Sequence, residues 1–219
     1  MMEQVFKVIV VGDAQVGKTT FIKRHLTGEF TKEYTPTSGV EVHPLTFYTD
    51  NHKKVTFNVW DCAGEFKPRF GVFREMYYTK ADCAIVMYDC TSEQSAENVS
   101  KWIRTINDYF KRDIPMIVCG NKADTKMCFT PSNIACPWEL ISAKSHYKFE
   151  VPFLYLARIL TKTPNLNFGW APAVEPPLVS PITQNDYSQY IVKSESSRKR
   201  YATHHLTPQS IKRVRSVAQ

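Results

Sequence analysis

The chain has 219 residues, 43% hydrophobic and 22% charged, which suits a globular protein of one large domain or two small ones. Thirteen prolines against eight glycines exclude a glycine-rich or collagen-like chain, no run reaches the roughly 18 uncharged apolar residues of a membrane span, and the opening MMEQVFKVIVVGDAQVGK lacks the pattern of a secretory signal. The net charge of +7 lies mostly in the tail: residues 1–191 hold 21 basic and 20 acidic side chains, residues 192–219 seven and one, so only the tail has a compositional reason to meet a polyanion.

Val5–Val11 is a short β-branched apolar run, the mark of a buried strand. It leads through Gly12–Thr20 into FIKRHLTGEF, an amphipathic helix candidate. Residues 27–39 are polar and carry Pro36 and Gly39, which predicts a loop. VEVHPLTFY and KKVTFNVW then read as two strands of an antiparallel hairpin turning at TDNH. Residues 62–80 start irregular and end with a helical pattern. CAIVMYD is a second buried strand, and SEQSAENVSKWIRTINDYF a helix capped by Ser92. IPMIVCG is a third buried strand and WELIS a weaker fourth. FEVPFLYLARIL reads as a helix with its proline near the start, where proline is tolerated.

Strands alternating with helices predict a doubly wound α/β sheet ending near residue 163. From there to Pro181 five prolines and no regular period predict an extended segment. Residues 193–219, serine-rich and basic, read as a disordered tail. There are no internal repeats. The six cysteines are scattered, without CxxC spacing, and read as reduced residues of a cytosolic or nuclear protein.

Gly12-Asp13-Ala14-Gln15-Val16-Gly17-Lys18-Thr19 fits G-x-x-x-x-G-K-[ST] between a predicted strand and a predicted helix, the context that makes this motif credible. With Thr20 it forms the candidate phosphate-binding set. Successive backbone N–H groups and the helix N-terminus favour a phosphate, Lys18 places a point charge between the outer phosphates, and the Thr19 hydroxyl suits Mg²⁺. Asp61-Cys62-Ala63-Gly64 follows a strand: Asp61 can reach the Mg²⁺ shell, and Gly64 lets its N–H approach the γ-phosphate. Asn121-Lys122-Ala123-Asp124 follows another. The Asp124 carboxylate accepts two N–H donors from a guanine edge, a pair adenine cannot offer. Ser142-Ala143-Lys144, after WELIS, offers a backbone N–H to the base carbonyl. All these groups fall at strand ends, where ligands bind in such sheets.

In these motifs the chain resembles the small Ras-like GTPases. Within them, FIKRHLTGEF, GVEVHPLTFYT, FNVWDCAGE, ISAKSHYKFEVPFLYLARIL and PNLNF…PAVEPPLV resemble the Ran family of nuclear transport GTPases over roughly residues 4–190, with a shortened stretch around 125–138. The resemblance implies the P-loop small GTPase fold: a six-stranded mixed sheet with helices on both faces, plus a C-terminal extension. It implies a GTP-binding domain at 1–163, a linker and helix at 164–192 and the tail at 193–219. It implies GTP/GDP and Mg²⁺ as cofactors, with Thr19, Thr37 and Asp61 as metal ligands, Phe30 flanking the guanine and Tyr34 near the phosphates. Two loops ordered by the γ-phosphate are implied, the second running from Gly64 through Tyr78. Lys18, Thr37 and the residue at position 65 would carry hydrolysis. The implied partners are importin- and exportin-type receptors, a Ran-type exchange factor and activating and binding proteins; the implied setting is a monomer in nucleus and cytoplasm.

The chain departs from that family in places. Glu65 stands where the family has a catalytic glutamine that orients the attacking water. A carboxylate cannot donate to the γ-phosphate and adds negative charge, although it could act as a base toward water. Ala14 and Gln15 replace two glycines. These changes imply slow hydrolysis. The chain ends in a basic run where the family ends in an acidic one, and carries no CaaX or double cysteine, so no lipid anchor is expected. Arg198-Lys199-Arg200 and Lys212-Arg213-Val214-Arg215 fit nuclear import or polyanion binding, nucleic acid included. Three readings stay open: a cycling Ran-like GTPase, a GTP-locked mimic that occupies transport receptors with little turnover, and a divergent Rab-like trafficking GTPase.

Overall fold

Alternate residues of the first strand face opposite sides, and this decides the layering. Val8 and Val10 enter one apolar core, and Ile9 and Val11 the other. A computed structural model describes residues 3–51, 53–64 and 77–169. It contains strands β1 (Glu3–Val11), β2 (Val40–Tyr48), β3 (Lys54–Cys62), β4 (Cys83–Asp89), β5 (Met116–Asn121) and β6 (Trp138–Leu140). They form one sheet in the order β2-β3-β1-β4-β5-β6. Only β2 runs antiparallel, paired to β3 through the predicted hairpin; the other neighbours are parallel. This is the six-stranded mixed sheet expected above. Four helices are described: α1 (Lys18–Thr27), α2 (Glu93–Glu97), α3 (Val99–Phe110) and α4 (Val151–Leu160).

Phe21 and Ile22 of α1 and Phe153, Leu156 and Ala157 of α4 seal one face with Phe57, Ile117 and Cys119. Val99, Trp102 and Ile106 of α3 seal the other with Val86, Tyr88 and Val118. Their spacing of three and four residues is one helical stripe. The parallel strands are thus covered on both faces, as such strands require. The wrap brings the C-terminal ends of β1, β3, β4 and β5 to one rim.

Several boundaries move for local reasons. The helix expected at residues 21–30 starts at Lys18 and stops at Thr27. Gly28 takes the left-handed conformation (φ 74°) and donates its N–H to the Arg24 carbonyl, which closes the turn. The single helix expected from Ser92 divides at Asn98 into α2 and α3. Ser92 does cap the first, its hydroxyl accepting the Ser95 N–H. β3 runs two residues further than its apolar pattern, because Asp61 and Cys62 still pair with Glu41 and Val40. Residues 164–169 pack on the domain: Leu166 is buried, Phe168 stacks on Phe47 at 4.4 Å, and Arg158 holds the Leu166 carbonyl at 2.8 Å. The rest of the linker and helix expected up to residue 192, and the basic tail, lie outside the described residues.

Candidate functional site

The phosphate-binding motif forms the turn between β1 and α1. Gly12 has φ 145°, and a Cβ there would overlap the Met87 carbonyl oxygen. Gly17 has φ 95°, and its Cβ would sit 2.5 Å from Asn121 Nδ2. Both glycines are therefore required by conformation and by close approach. Gln15 also takes a left-handed φ of 64°, at the second of the two positions where the resemblance expects glycine. Lys18 is buried, with Nζ donating to the carbonyls of Gly12 at 2.9 Å and Asp13 at 2.7 Å. The ammonium is thus held inside the turn rather than projecting to solvent.

The three expected metal ligands meet. Thr19 Oγ1 lies 2.8 Å from Thr37 Oγ1 and donates to Asp61 Oδ2 at 2.5 Å. Asp61 is fully buried, and its Oδ1 has no hydrogen-bond partner among the described residues. Burial pushes the Asp61 carboxyl above the usual carboxylate range; the Thr19 hydrogen bond and the nearby Lys18 charge oppose this. An orphaned buried carboxylate oxygen beside two hydroxyls is a hard-oxygen donor set, and it fits Mg²⁺. Gly64 abuts the phosphate loop, since a Cβ there would lie 2.6 Å from Ala14 Cα and 2.5 Å from the Asp13 carbonyl carbon. Glu65, the next residue, lies outside the described residues, as does the rest of the second loop to residue 76.

At the other end the polar side chains are already paired. Asn121 is buried; its Nδ2 donates to the Val16 carbonyl at 2.9 Å, and its Oδ1 accepts the Ala143 N–H at 3.1 Å. It staples the phosphate loop to the Ser142-Ala143-Lys144 turn. Asp124 accepts from Ser142 Oγ at 2.8 Å and from Lys144 Nζ at 3.0 Å. Burial pushes its carboxyl up, but the hydrogen bonds from Lys144 and Ser142 outweigh this and hold it below its ordinary value. Of the backbone amides in that turn, Ser142 donates to the Tyr147 carbonyl and Ala143 to Asn121, while the Lys144 N–H has no partner among the described residues. That amide is the donor left for a base carbonyl.

A cleft of about 950 Å³ joins the two ends. Phe30, Tyr34, Lys122 and Asp124 line it together with Ala14, Gln15, Gly17 through Thr20, Thr37, Gly64, Ala143 and Lys144. Phe30 also lies under the Arg24 guanidinium, 5.8 Å away.

Three contributors were not singled out from the sequence. Asn98 Nδ2 and Trp102 Nε1 donate to the two carboxylate oxygens of Asp13, at 2.9 and 2.8 Å. They draw that side chain back against α3. Asp89, ending β4, pairs with Lys122 Nζ at 2.6 Å and holds the Asn121-Lys122 turn, where Lys122 has φ 68°. Trp102 reads as core from its spacing, and it is core; only the tertiary contact shows that its indole N–H has a second role. A carboxylate at a buried strand end was the available signal for Asp89.

Comparison with known protein families matches residues 7–162 to the Ras family.

Proposed function

The chain belongs to the Ras family of GTP-binding switch proteins, and we propose that it is a Mg²⁺-dependent guanine-nucleotide switch of the Ran type. The observation that carries the nucleotide assignment is the cleft itself, which has an ionised Asp124 at one end and the Thr19–Asp61–Thr37 cluster at the other. The carboxylate would accept the paired N–H donors of guanine, with the Lys144 amide against the base carbonyl. Adenine would offer the carboxylate no such pair of donors, which makes discrimination large. Thr19, Thr37 and Asp61 would hold Mg²⁺, which supplies positive charge against the phosphates when bound. Lys18 would exchange its two carbonyl partners for phosphate oxygens.

Hydrolysis in this reading is slow. A residue at position 65 must orient water in the transition state, and Glu65 accepts hydrogen bonds without donating them. Gly64, the residue before it, lies against the backbone of Asp13 and Ala14, so the methyl group that Ala14 adds is introduced next to the start of the second loop. The transport role, with importin- and exportin-type receptors as partners in nucleus and cytoplasm, rests on the sequence runs shared with the Ran family. A GTP-locked mimic with little turnover is the second reading, favoured by Glu65, Ala14 and Gln15 together.

Nucleotide released from freshly purified protein identifies the ligand; finding adenine nucleotides would sink the assignment. Single-turnover hydrolysis with a Ran-type activating protein tests the rest. Stimulated turnover should rise on Glu65→Gln, and again when Ala14→Gly and Gln15→Gly are added. If Glu65→Gln slows the basal reaction instead, the carboxylate acts as a base and the locked-mimic reading is dropped.

A further inference from the structure

Two cysteines that stand 38 positions apart in sequence meet beside the base end of the cleft. The Cys90 Sγ–H points at Cys128 Sγ across 3.1 Å. A disulfide needs a separation of about 2.0 Å, so closure requires a movement of only about 1 Å. Backbone hydrogen bonds already align the two segments on either side of the pair. Phe129 N–H donates to the Cys90 carbonyl at 2.7 Å, and Tyr88 Oη–H to the Phe129 carbonyl at 3.2 Å. Cys90 N–H in turn donates to the Asn121 carbonyl at 3.0 Å. Neither cysteine takes part in the binding chemistry described above.

We propose that Cys90 and Cys128 are a thiol–disulfide pair, a modification site whose oxidation clasps residues 125–129 to the end of β4 and so stiffens the Asn121–Asp124 turn. The linkage stands on this geometry alone; only its meaning for nucleotide retention rests on the function proposed above.

The two thiols are unequal. Cys90 is fully buried, while Cys128 is half-buried and open to a small oxidant. Burial, and then the hydrogen bond with Cys128, push the Cys90 thiol up. Cys128 is therefore the attacking sulfur and Cys90 the resolving one. The oxidant is a hydroperoxide. The Cys128 sulfur, its proton lost, attacks the peroxide: an S–O bond forms, the O–O bond breaks, and the departing alkoxide takes a proton to leave as an alcohol (water, from hydrogen peroxide). Cys90 sulfur then attacks Cys128 sulfur. The S–S bond forms, the S–O bond breaks, and hydroxide leaves as water with the Cys90 proton. Two thiols and one hydroperoxide give one disulfide, one alcohol and one water, with two electrons passing from sulfur to oxygen. An external dithiol reverses the bond by exchange. In a reducing compartment such bonds are transient and regulatory.

The test treats the full chain with hydrogen peroxide, blocks remaining thiols, and maps non-reduced peptides by mass spectrometry. A peptide pair joining Cys90 to Cys128, removed by dithiothreitol, is expected. Backbone amide exchange over residues 122–129 should then be several-fold slower than in the reduced protein. Cys128→Ser, at the half-exposed position, should abolish both effects without threatening the fold. Cys136, also half-buried, is the internal control. Cys128 stopping at a sulfinic acid, a dominant link through Cys136 or between chains, or a Cys90–Cys128 link with unchanged exchange would each overturn the proposal.

Discussion

The base end and the phosphate end of the cleft are built on different principles. At the base end every polar side chain has a partner before a ligand arrives: Asn121 between Val16 and Ala143, Asp124 between Ser142 and Lys144, Lys122 on Asp89. At the phosphate end Asp61 keeps a buried oxygen without a hydrogen-bond partner among the described residues, and Lys18 Nζ donates to the backbone carbonyls of Gly12 and Asp13. A preorganised end selects a ligand with little rearrangement. An end with unmet electrostatic demand gains most when charge arrives, and so can report whether a metal and the outer phosphate are present. Two of the departures from the resembled family, Ala14 and Gln15, fall at this second end.

If the base end is the selective one, Asp124→Asn should have the largest effect. Guanine nucleotide affinity should fall on the order of a thousandfold, with xanthine nucleotides gaining, because an acceptor becomes a donor. Competition binding with GDP, XDP and ADP reads this, and an unchanged preference would break the distinction between the ends. Next comes Thr19→Asn at the phosphate end. We expect a loss of roughly 100-fold in Mg²⁺-dependent GTP affinity, by analogy with other changes around a metal. Chelating Mg²⁺ should speed nucleotide release from the unmodified protein and do little in the variant; equal sensitivity in both would remove Thr19 from the metal shell.

Trp102→Phe probes the support of the phosphate end from α3. It deletes one hydrogen bond to Asp13 and trims the buried indole to a phenyl ring; the hydrogen bond's share is about 1 kcal/mol, or about fivefold in nucleotide affinity. Isothermal titration would show it, and no change would mean that Asn98 alone suffices. The smallest effect on the cleft should come from His25, in the aromatic box of Phe21, Phe149 and Phe153. The residue is half-buried, but its Nε2 is sealed from solvent and has no hydrogen-bond partner among the described residues. Burial lowers its pKa to about 3, a hydrogen bond to the Phe149 backbone opposing. Because the folded value lies below the unfolded 6.5, the unfolded chain binds the extra proton. The neutral imidazole's contribution is complete above that unfolded value and is lost as the pH falls toward the folded one. About 3 kcal/mol should go by about pH 4. Denaturant unfolding of His25→Leu across this range should show a shallower acid loss with unchanged nucleotide affinity at pH 7. A parallel profile would assign the acid sensitivity to other groups.

Much of this was legible in the chain. The buried strands announced themselves as apolar runs because parallel strands are covered on both faces, and the hairpin because β2 and β3 are joined by a short polar turn. Gly12 and Gly17 were readable because the conformations they adopt exclude other side chains. Boundaries were less so: whether β3 stops at Trp60 or Cys62 depends on pairing with β2, and pairing is not a local property. The division of the helix at Asn98 and the docking of Leu166 and Phe168 likewise depend on partners distant in sequence.

By itself the sequence determined the order of elements and the phosphate loop, and it pointed to Thr19 and Asp61 as candidate metal ligands and to Asn121–Asp124 as a candidate base-reading tetrapeptide, since each rests on a short run whose geometry or chemistry is local. Tertiary structure alone decided what holds these groups in place: Asn98 and Trp102 on Asp13, Asp89 on Lys122, Asn121 between two loops, and Cys90 against Cys128. The physical reason is distance along the chain. A hydrogen bond or sulfur contact spanning 22 to 105 positions leaves no periodicity in sequence, and it exists only once the sheet has brought four strand ends to one rim.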